Sequence, residues 1–441
     1  MKARKNAMNI WIGLRASDYQ MFGMPIRMDK IASIDFETVK GVRLISCEMS
    51  TKERSPWSNE ELLEIEKLRN FRNMISKLGS SGKHVNIFCY HSIPTIEKIA
   101  EKNKQIKIYA PPISIKRKFD DKLFFLKLLK NLEIKSAYSL IGEAKEKNYC
   151  KFKRELGRLF VAKKRIGASV GATHLIKNKR DFLKLAKNNK KETLIFSKYI
   201  SGPSLNVNAF AGKKISVSCP SLQIIGAPEC SSGIFAYCWN DFAATRRMSR
   251  DIGKELHCIT RKIGEAMKKR GYWGIFGIDF VYDIKNKVLF PLEINPRFQG
   301  STPLLMRYLR SKNISGLVEL YINSSKLISG SERRTVNASF LLLHNINGKK
   351  MTVKRHLKSG IYKFYFRNRK MSLYYIGNDM LFPGSNDELL ILGCPQAGVT
   401  IKPGAGILRI EFAGQIMNSK LTALKKRYSC LAKEIYKLIW K

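Results

Sequence analysis

One segment, residues 274–302, limits the possible folds more than any other part of the sequence. It reads GIFGIDFVYDIKNKVLFPLEINPRFQGST, with two extended apolar runs on either side of a polar stretch at residues 283–287. The alternating character of residues 278–282 and the apolar run that ends at Asn295 are typical of strands, and the polar stretch can turn the chain. The segment therefore predicts two adjacent strands in a β-hairpin.

Three oxygen-bearing side chains can meet on this hairpin. Glu293 and Asn295 are two residues apart in an extended segment, so they point to the same face, roughly 6–7 Å apart. Asp279 on the other strand can lie opposite them. Two carboxylates and one amide oxygen suit a hard cation such as Mg²⁺ (or Mn²⁺), whose other ligands are usually phosphates and water. Arg297, directly after Pro296 stops the strand, can bind an anion through two parallel hydrogen bonds.

The plain alternative is that these acids are solvated residues on the outer face of a strand pair. Glu293 argues against this, because it follows a run that is expected to be buried, and a buried acid needs a partner. The hairpin on its own leaves both interpretations open.

The composition indicates a globular protein of two or three domains. The chain has 441 residues, of which 44% are hydrophobic and 10% aromatic, which excludes a largely disordered protein. No apolar run approaches the roughly 18–20 residues that span a bilayer. The N-terminus is basic and then briefly apolar, but Arg15 interrupts the apolar run too early for a signal peptide. We therefore expect a cytoplasmic protein without a membrane partner. Nine scattered cysteines without a C-x-x-C pair indicate neither a zinc site nor a disulfide framework.

The net charge of +46 is the largest compositional anomaly. Such a charge can be the electrostatic signature of a nucleic-acid-binding protein. However, the lysines run through every segment, without a concentrated tail or a recognisable RNA-binding or helix-turn-helix motif. A preference for anionic ligands is favoured over the alternative of specific nucleic-acid binding, and a chain-wide lysine bias can also reflect codon usage.

The secondary-structure pattern divides the chain into three predicted domains. Residues 1–115 alternate strands and helices, as in an open α/β unit. Residues 116–330 include the metal hairpin. Residues 331–441 read as short strands and turns, followed by a helix over residues 421–440, and predict a separate, mainly β domain.

A glycine-rich loop lies between two predicted strands in the second domain. Strands near residues 159–163 and 174–176 flank the sequence RIGASVGA. A Walker P-loop runs from a strand into a helix, so this loop is expected to be a flexible hairpin acting as a lid. Its amides in residues 167–171 can reach phosphate oxygens.

Taken in order, these motifs resemble the ATP-grasp superfamily, which includes D-alanine:D-alanine ligase, glutathione synthetase and biotin carboxylase. The resemblance covers roughly residues 116–325. It implies an α/β (α+β) ATP-grasp fold with an N-terminal open α/β preATP-grasp domain and a mainly β C-terminal domain. The dipeptide Asp121-Lys122, the motif Val161-Ala162-Lys163 before the glycine loop, and the hinge SKYISGP at residues 197–203 match family motifs.

The resemblance also implies roles for individual residues. The expected ATP-binding residues are Lys122, Lys163, Ser169, Gly171, Lys198, Tyr199, Ile200 and Ser204; the expected metal ligands are Asp279, Glu293 and Asn295; and the expected catalytic residue is Arg297. Three positions depart from the family pattern. Lys164 stands where proline is common, and Ser197 and Ser204 replace acids, so the ribose contact is weaker than a carboxylate would make.

The resemblance implies that the protein is an ATP-dependent ligase. Such an enzyme activates a small-molecule carboxylate as an acyl phosphate and joins it to an amine or similar nucleophile. A carboxylase like biotin carboxylase, a non-catalytic ATP-binding or nucleic-acid-binding protein, and a C-terminal domain that binds a partner are the alternatives.

Overall fold

The N-terminal unit is built on a parallel sheet. The computed structural model describes residues 7–23, 26–56, 62–167, 172–322, 335–367, 370–378 and 382–441. The unit contains β1 (Met8–Gly13), β2 (Lys30–Ser33), β3 (Arg43–Ser46), α1 (Cys47–Thr51), β4 (Glu53–Arg54), α2 (Leu63–Lys67), α3 (Arg69–Ser80), β5 (Val85–Cys89), α4 (Pro94–Lys102) and β6 (Ile106–Tyr109). Five of its strands form a sheet of order β3-β2-β1-β5-β6, in which every pair is parallel. Its central strands are continuous apolar runs, as expected for a sheet covered on both faces.

The strand order places a switch point in this sheet. The chain runs outward from β1 to β3 on one side and from β5 to β6 on the other, so β1 and β5 lead in opposite directions. In open α/β sheets, ligands bind at the carboxyl ends of the strands where the order reverses. The residues at these ends are Leu14 and Arg15 after β1, and Tyr90 and His91 after β5.

A small unit with its own core follows. Helices α5 (Ile113–Asp120) and α6 (Lys122–Asn131) precede it and pack in the main core. The small unit contains β7 (Ser139–Glu143), α7 (Tyr149–Leu156), β8 (Phe160–Lys164), β9 (Thr173–Ile176), α8 (Lys179–Asn188) and β10 (Thr193–Lys198). Its antiparallel sheet has the order β7-β10-β8-β9. Phenylalanines fill the core beneath it, with the rings of Phe152 and Phe196 stacked at 4.2 Å. The predicted strands on both sides of the glycine loop are present as the antiparallel pair β8 and β9.

The rest of the chain forms one large sheet with its covering helices. The elements are β11 (Ser204–Ala211), β12 (Ile215–Val217), β13 (Ser221–Ile225), β14 (Tyr237–Asp241), α9 (Arg250–Lys268), β15 (Gly274–Asp283), β16 (Val288–Asn295), α10 (Thr302–Ser311), α11 (Glu319–Ile322), β17 (Ala338–His344), β18 (Met351–Thr352), β19 (Gly360–Arg367), β20 (Lys370–Gly377), β21 (Glu388–Leu392), β22 (Thr400–Ile401), β23 (Gly406–Ala413) and α12 (Lys426–Trp440). The order is β16-β15-β11-β13-β14-β17-β23-β21-β19-β20, with β12 paired to β11.

This sheet crosses the predicted boundary between the second and third domains. Strand β14 pairs with β17, with Trp239 opposite Leu341, so the C-terminal strands extend the sheet that contains the metal hairpin. A short sheet of β18, β22 and β4 also ties the C-terminal strands to the N-terminal unit. The third predicted domain therefore shares its main sheet with the second.

Two segments differ from the expectations in detail. Helix α12 begins at Lys426 rather than at residue 421, because Leu421 has a left-handed backbone (φ 57°) in a turn fixed by the Thr422 amide donating to Asn418. Residues 221–241, where the sequence patterns identified no strands, contain β13 and β14. Across the described ranges, no helix combines the length and apolar character needed to cross a membrane.

Candidate active site

The predicted metal hairpin is formed by β15 and β16. Asp279 lies directly opposite Glu293 across the two strands, and Asn295 lies opposite Gly277. The amide Nδ2 of Asn295 donates to Asp279 Oδ2 at 3.1 Å. Asn206 on the neighbouring strand β11 donates to Asp279 Oδ1 at 2.5 Å. The three predicted ligands therefore converge, and Asp279 is held in place from both sides.

Two acids this close affect each other's protonation. Burial raises the pKa of Asp279, and the negative charge of Glu293 raises it further, although hydrogen bonds from Asn206 and Asn295 oppose the shift. Burial also acts to raise the pKa of Glu293, but the charges of Lys122 and Lys163 outweigh it and hold that pKa below its ordinary value. The pair thus concentrates negative charge at one end of the site, where cations are favoured.

Lys122 approaches this end from helix α6. The carboxylate of Asp121 caps the helix by accepting from the amides of Leu123 and Phe124, which places Lys122 at the first helical position. Its Nζ lies 3.2 Å from Glu293 Oε2 and donates to the carbonyl of Gly167 at 2.9 Å. Lys122 therefore joins the metal hairpin to the start of the glycine loop.

Lys163 approaches from strand β8. Burial lowers its pKa below the ordinary lysine value, and the charge of Lys122 lowers it further, whereas Glu293 and Asp279 oppose the shift. The two lysines come from different elements, α6 and β8, and both lie within electrostatic reach of the acid pair.

One cavity of about 740 Å³ contains most of the predicted site. The predicted residues that line it are Lys163, Lys198, Tyr199, Ile200, Ser204, Asp279, Glu293, Asn295 and Arg297. Lys122 forms an ion pair with Glu293, which lines the cavity. Ser169 and Gly171 lie outside the described residues.

Arg297 links the hairpin to the N-terminal sheet. Its Nη1 donates to the Tyr90 hydroxyl at 3.0 Å, and its guanidinium lies 5.3 Å from the centre of the Tyr90 ring. Tyr90 follows β5 at the switch point, and Arg15 and His91 line the same cavity. The carboxyl edge of the parallel sheet and the metal hairpin therefore meet in a single site.

The sequence reasoning missed a polar network beneath the acids. Besides its bond to Asp279, Asn206 accepts a hydrogen bond from Ser301 Oγ at 2.9 Å, and Ser301 accepts one from Asn208 at 3.0 Å. All three side chains are buried. The available signal was the alternation Ser204, Asn206, Asn208 in an otherwise apolar strand, which places polar side chains on one face.

The donor set fits a magnesium-type ion. Among the described residues, no group of three or more His, Cys, Asp and Glu side chains is arranged to hold a metal. Asp279, Glu293 and Asn295 instead offer two carboxylates and one amide, the set that suits a hard cation whose remaining ligands come from phosphate and water. Asp279 and Glu293 lie opposite each other on adjacent strands, so a cation bound between them would offset the repulsion of two carboxylates.

Comparisons with known proteins agree with this arrangement. Residues 119–301 match the model of a family described as the ATP-grasp domain. No curated protein sequence matches the chain. Three similar solved structures, all of low sequence identity, show the fold.

The biotin carboxylase domain of the 2-oxoglutarate carboxylase of Hydrogenobacter thermophilus is 13% identical with a TM-score of 0.63, over 94% of this chain and 87% of that chain. The carboxyaminoimidazole ribonucleotide synthase of Aspergillus clavatus, solved with ATP, is 12% identical with a TM-score of 0.57, over 98% of this chain and 99% of that chain. The phosphoribosylamine–glycine ligase of Thermotoga maritima is 11% identical with a TM-score of 0.58, over 98% and 97%. Residues 119–301 therefore resemble an ATP-grasp domain, and the chain has the ATP-grasp fold, with an α/β N-terminal unit and a C-terminal part rich in antiparallel strands.

Proposed function

We propose that this chain is an ATP-dependent ligase that activates a carboxylate as an acyl phosphate and joins it to an amine or similar nucleophile. The supporting observation is the convergence, in one cavity, of the acid pair Asp279 and Glu293 with Asn295, Lys163 and Arg297. The structural relatives whose names describe ligases or carboxylases make such a reaction a reasonable assignment for this arrangement.

In this proposal, ATP lies between the small unit and the large sheet. The backbone of Lys198, Tyr199 and Ile200 would contact the adenine, and Ser204 would contact the ribose. Lys122 and Lys163 would offset phosphate charge. Mg²⁺, held by Asp279, Glu293 and Asn295, would neutralise charge on the transferred phosphoryl group.

The chemistry requires positioning more than proton transfer by the protein. A carboxylate oxygen attacks the terminal phosphorus of ATP, the bond to the bridging oxygen breaks, and ADP leaves. The amine nitrogen then attacks the acyl carbon, phosphate leaves with the bonding electrons, and the nitrogen loses a proton to water. Arg297 would orient the carboxylate and the acyl phosphate, and its hydrogen bond to Tyr90 would hold the guanidinium in place.

Hydroxylamine trapping tests this proposal without knowledge of the natural amine. With ATP, Mg²⁺, hydroxylamine and a panel of carboxylates, an acyl phosphate would yield the hydroxamate and phosphate, detected by mass together with ADP. Chelating the metal with EDTA should abolish both products. If no carboxylate yields hydroxamate or ADP and the protein does not bind ATP, the proposal is wrong.

A carboxylase is the second candidate, favoured by the fold similarity to biotin carboxylase domains over most of the chain. The discriminating observation is bicarbonate dependence. ADP release that requires bicarbonate, and that yields no hydroxamate from organic acids, would favour carboxylation.

We also propose that residues 1–115, 116–330 and 331–441 act as N-terminal, ATP-grasp and C-terminal domains, in a cytoplasmic enzyme.

Substitution of Gly202 by alanine should weaken nucleotide binding. A Cβ at this hinge position would lie 1.8 Å from the carbonyl oxygen of Tyr282, so the hinge would have to move away from β15. We expect the KM for ATP to rise several-fold and stability to fall by about 1–3 kcal/mol. Steady-state kinetics and urea denaturation measure these effects. Gly377→Ala is the control, since nothing lies within 4 Å of a Cβ there; equal behaviour of the two variants would contradict the expectation.

A further inference from the structure

The cavity extends well beyond the metal hairpin. Its lining residues run from Glu293 on β16 to Gly406 on β23. These ends lie on the first and last of seven adjacent strands, β16-β15-β11-β13-β14-β17-β23, so six strand spacings separate them in the sheet. At the usual spacing of neighbouring strands the cavity crosses roughly 29 Å of sheet. The predicted nucleotide and metal residues on this sheet belong to β11, β15 and β16, so the half that faces β13 to β23 is available to another substrate.

That second half presents apolar side chains to solvent. Ile225 and Ile234, on the hairpin between β13 and β14, are 37% and 59% exposed, although both line the cavity. Phe235, Leu342 and Leu421 also line the cavity, although Leu342 is buried. Large apolar side chains that stay uncovered inside a concave site are typical of a ligand-binding surface.

The fold holds this apolar surface in place. Gly226 has a left-handed backbone (φ 67°), and a Cβ there would lie 2.3 Å from the carbonyl oxygen of Ile234, so the turn requires glycine. The loop that carries Leu421 is anchored by Asp241 Oδ2, which accepts from the amides of Ile416 at 3.0 Å and Met417 at 3.1 Å. Both walls are therefore fixed by contacts outside the cavity.

Charge determines which end of a substrate faces the metal. Among the described residues that line the cavity, carboxylates are confined to Asp279 and Glu293, at the metal end. The other charged lining residues are the cations Arg15, Lys163, Lys198 and Arg297. An ammonium group in the second half would thus meet no carboxylate, whereas an anionic group is favoured next to Arg297.

We propose that the carboxylate substrate has an extended apolar body, which covers Ile225, Ile234 and Leu421 while its carboxylate lies beside Arg297. This inference rests on the proposed ligase function and names its substrate class as aliphatic or aromatic acids, in place of small or polar acids. The apolar body of the substrate moves from water onto the apolar surface. This transfer supplies binding free energy in proportion to the area covered.

Hydroxamate formation with matched acids tests the proposal. The probes are acetate, hexanoate, 4-phenylbutyrate and gluconate, a polar acid as long as hexanoate. We expect kcat/KM for hexanoate and 4-phenylbutyrate to exceed that for acetate and gluconate by at least about tenfold. Ile234→Ser should lower kcat/KM for 4-phenylbutyrate by about tenfold and leave the KM for ATP unchanged.

The control is Ile376→Ser, because Ile376 is similarly exposed (52%) but lies on β20, away from the cavity. The Ile376→Ser variant should have the same kcat/KM for 4-phenylbutyrate and the same KM for ATP as the unmodified protein. Equal rates for acetate, gluconate and 4-phenylbutyrate would overturn the proposal. A second result would also overturn it. If phenethylamine, an apolar amine, accelerates the reaction of acetate in the unmodified protein but not in Ile234→Ser, the apolar half binds the nucleophile and not the acid.

Calorimetric binding of 4-phenylbutyrate separates this inference from the ligase proposal. Binding that is lost in Ile234→Ser and kept in Ile376→Ser supports the apolar site even if no acid is turned over, in which case only the ligase assignment fails. If 4-phenylbutyrate neither binds nor reacts while acetate yields hydroxamate, the ligase assignment survives and the apolar body is wrong.

Discussion

Replacing Glu293 by glutamine is expected to lower the rate of ATP-dependent hydroxamate formation by at least about 100-fold, since even residues that only support metal ligands contribute 10- to 100-fold. The substitution keeps the size of the side chain but removes its charge. It takes away one proposed metal ligand and the partner of Lys122, whose Nζ lies 3.2 Å from the carboxylate. The measurement is steady-state turnover with varied Mg²⁺, in which the apparent affinity for the metal should also fall.

Glu265→Gln is the matched control for this substitution. Glu265 lies on α9 and forms an exposed pair with Lys268 at 3.7 Å, and such surface pairs contribute roughly 0–1 kcal/mol. Its turnover should be unchanged. Urea denaturation of both variants shows whether the folded structure persists. A folded Glu293→Gln variant with full turnover would mean that the metal site is assigned to the wrong residues.

Replacing Glu411 by leucine is expected to cause the largest loss of stability. Glu411 on β23 is fully buried and pairs with two buried arginines, Arg307 on α10 and Arg409 on its own strand, the latter at 2.6 Å. Burial acts to raise the pKa of Glu411, but the two guanidinium groups outweigh it and hold the pKa below its ordinary value. Removing the carboxylate leaves both cations buried without it, which typically costs about 3–5 kcal/mol.

The measurement is the urea midpoint of the unit that contains the large sheet. Because the pKa of Glu411 is lower in the folded protein than in the unfolded chain, its carboxylate stabilises the fold fully above the unfolded pKa. This stabilisation is lost as the pH falls through the folded pKa. The variant lacks the carboxylate and should therefore lose less stability on acidification than the unmodified protein. Glu434→Leu, which removes the partly exposed partner of Lys437, should change the free energy of unfolding by less than about 1 kcal/mol. Equal midpoints for the two variants would show that the buried cluster contributes no more than a surface pair.

Local patterns predicted much of the site. The spacing of Glu293 and Asn295 in an extended run placed both residues on one strand, and the polar stretch after Tyr282 made that strand one arm of a hairpin with Asp279 opposite. The strands predicted on both sides of the glycine loop are present as β8 and β9. Each of these features depends on residues close in sequence, so alternation, helical period and turn residues are sufficient to identify them.

Other features of the site depend on contacts that no local pattern contains. Lys122 and Glu293 meet because α6 packs beside the hairpin, and Asn206 holds Asp279 only because β11 is the neighbour of β15. The strands at residues 221–241 were missed, since they are short and flank a turn-rich loop. Their pairing with β17 supplies the apolar half of the cavity.

The sequence by itself determined the hairpin that carries Asp279, Glu293 and Asn295, the order of the motifs that resemble the ATP-grasp superfamily, and the α/β character of the N-terminal unit. Only the tertiary structure decided that the C-terminal strands extend the central sheet, that Arg297 contacts Tyr90 at the carboxyl edge of the parallel sheet, and that Arg307 and Glu411 share a buried ion pair. The physical reason is that strand identity follows from nearby side chains, whereas strand partners and buried charge pairs are selected by the packing of the whole chain, in which residues 104 positions apart are brought together.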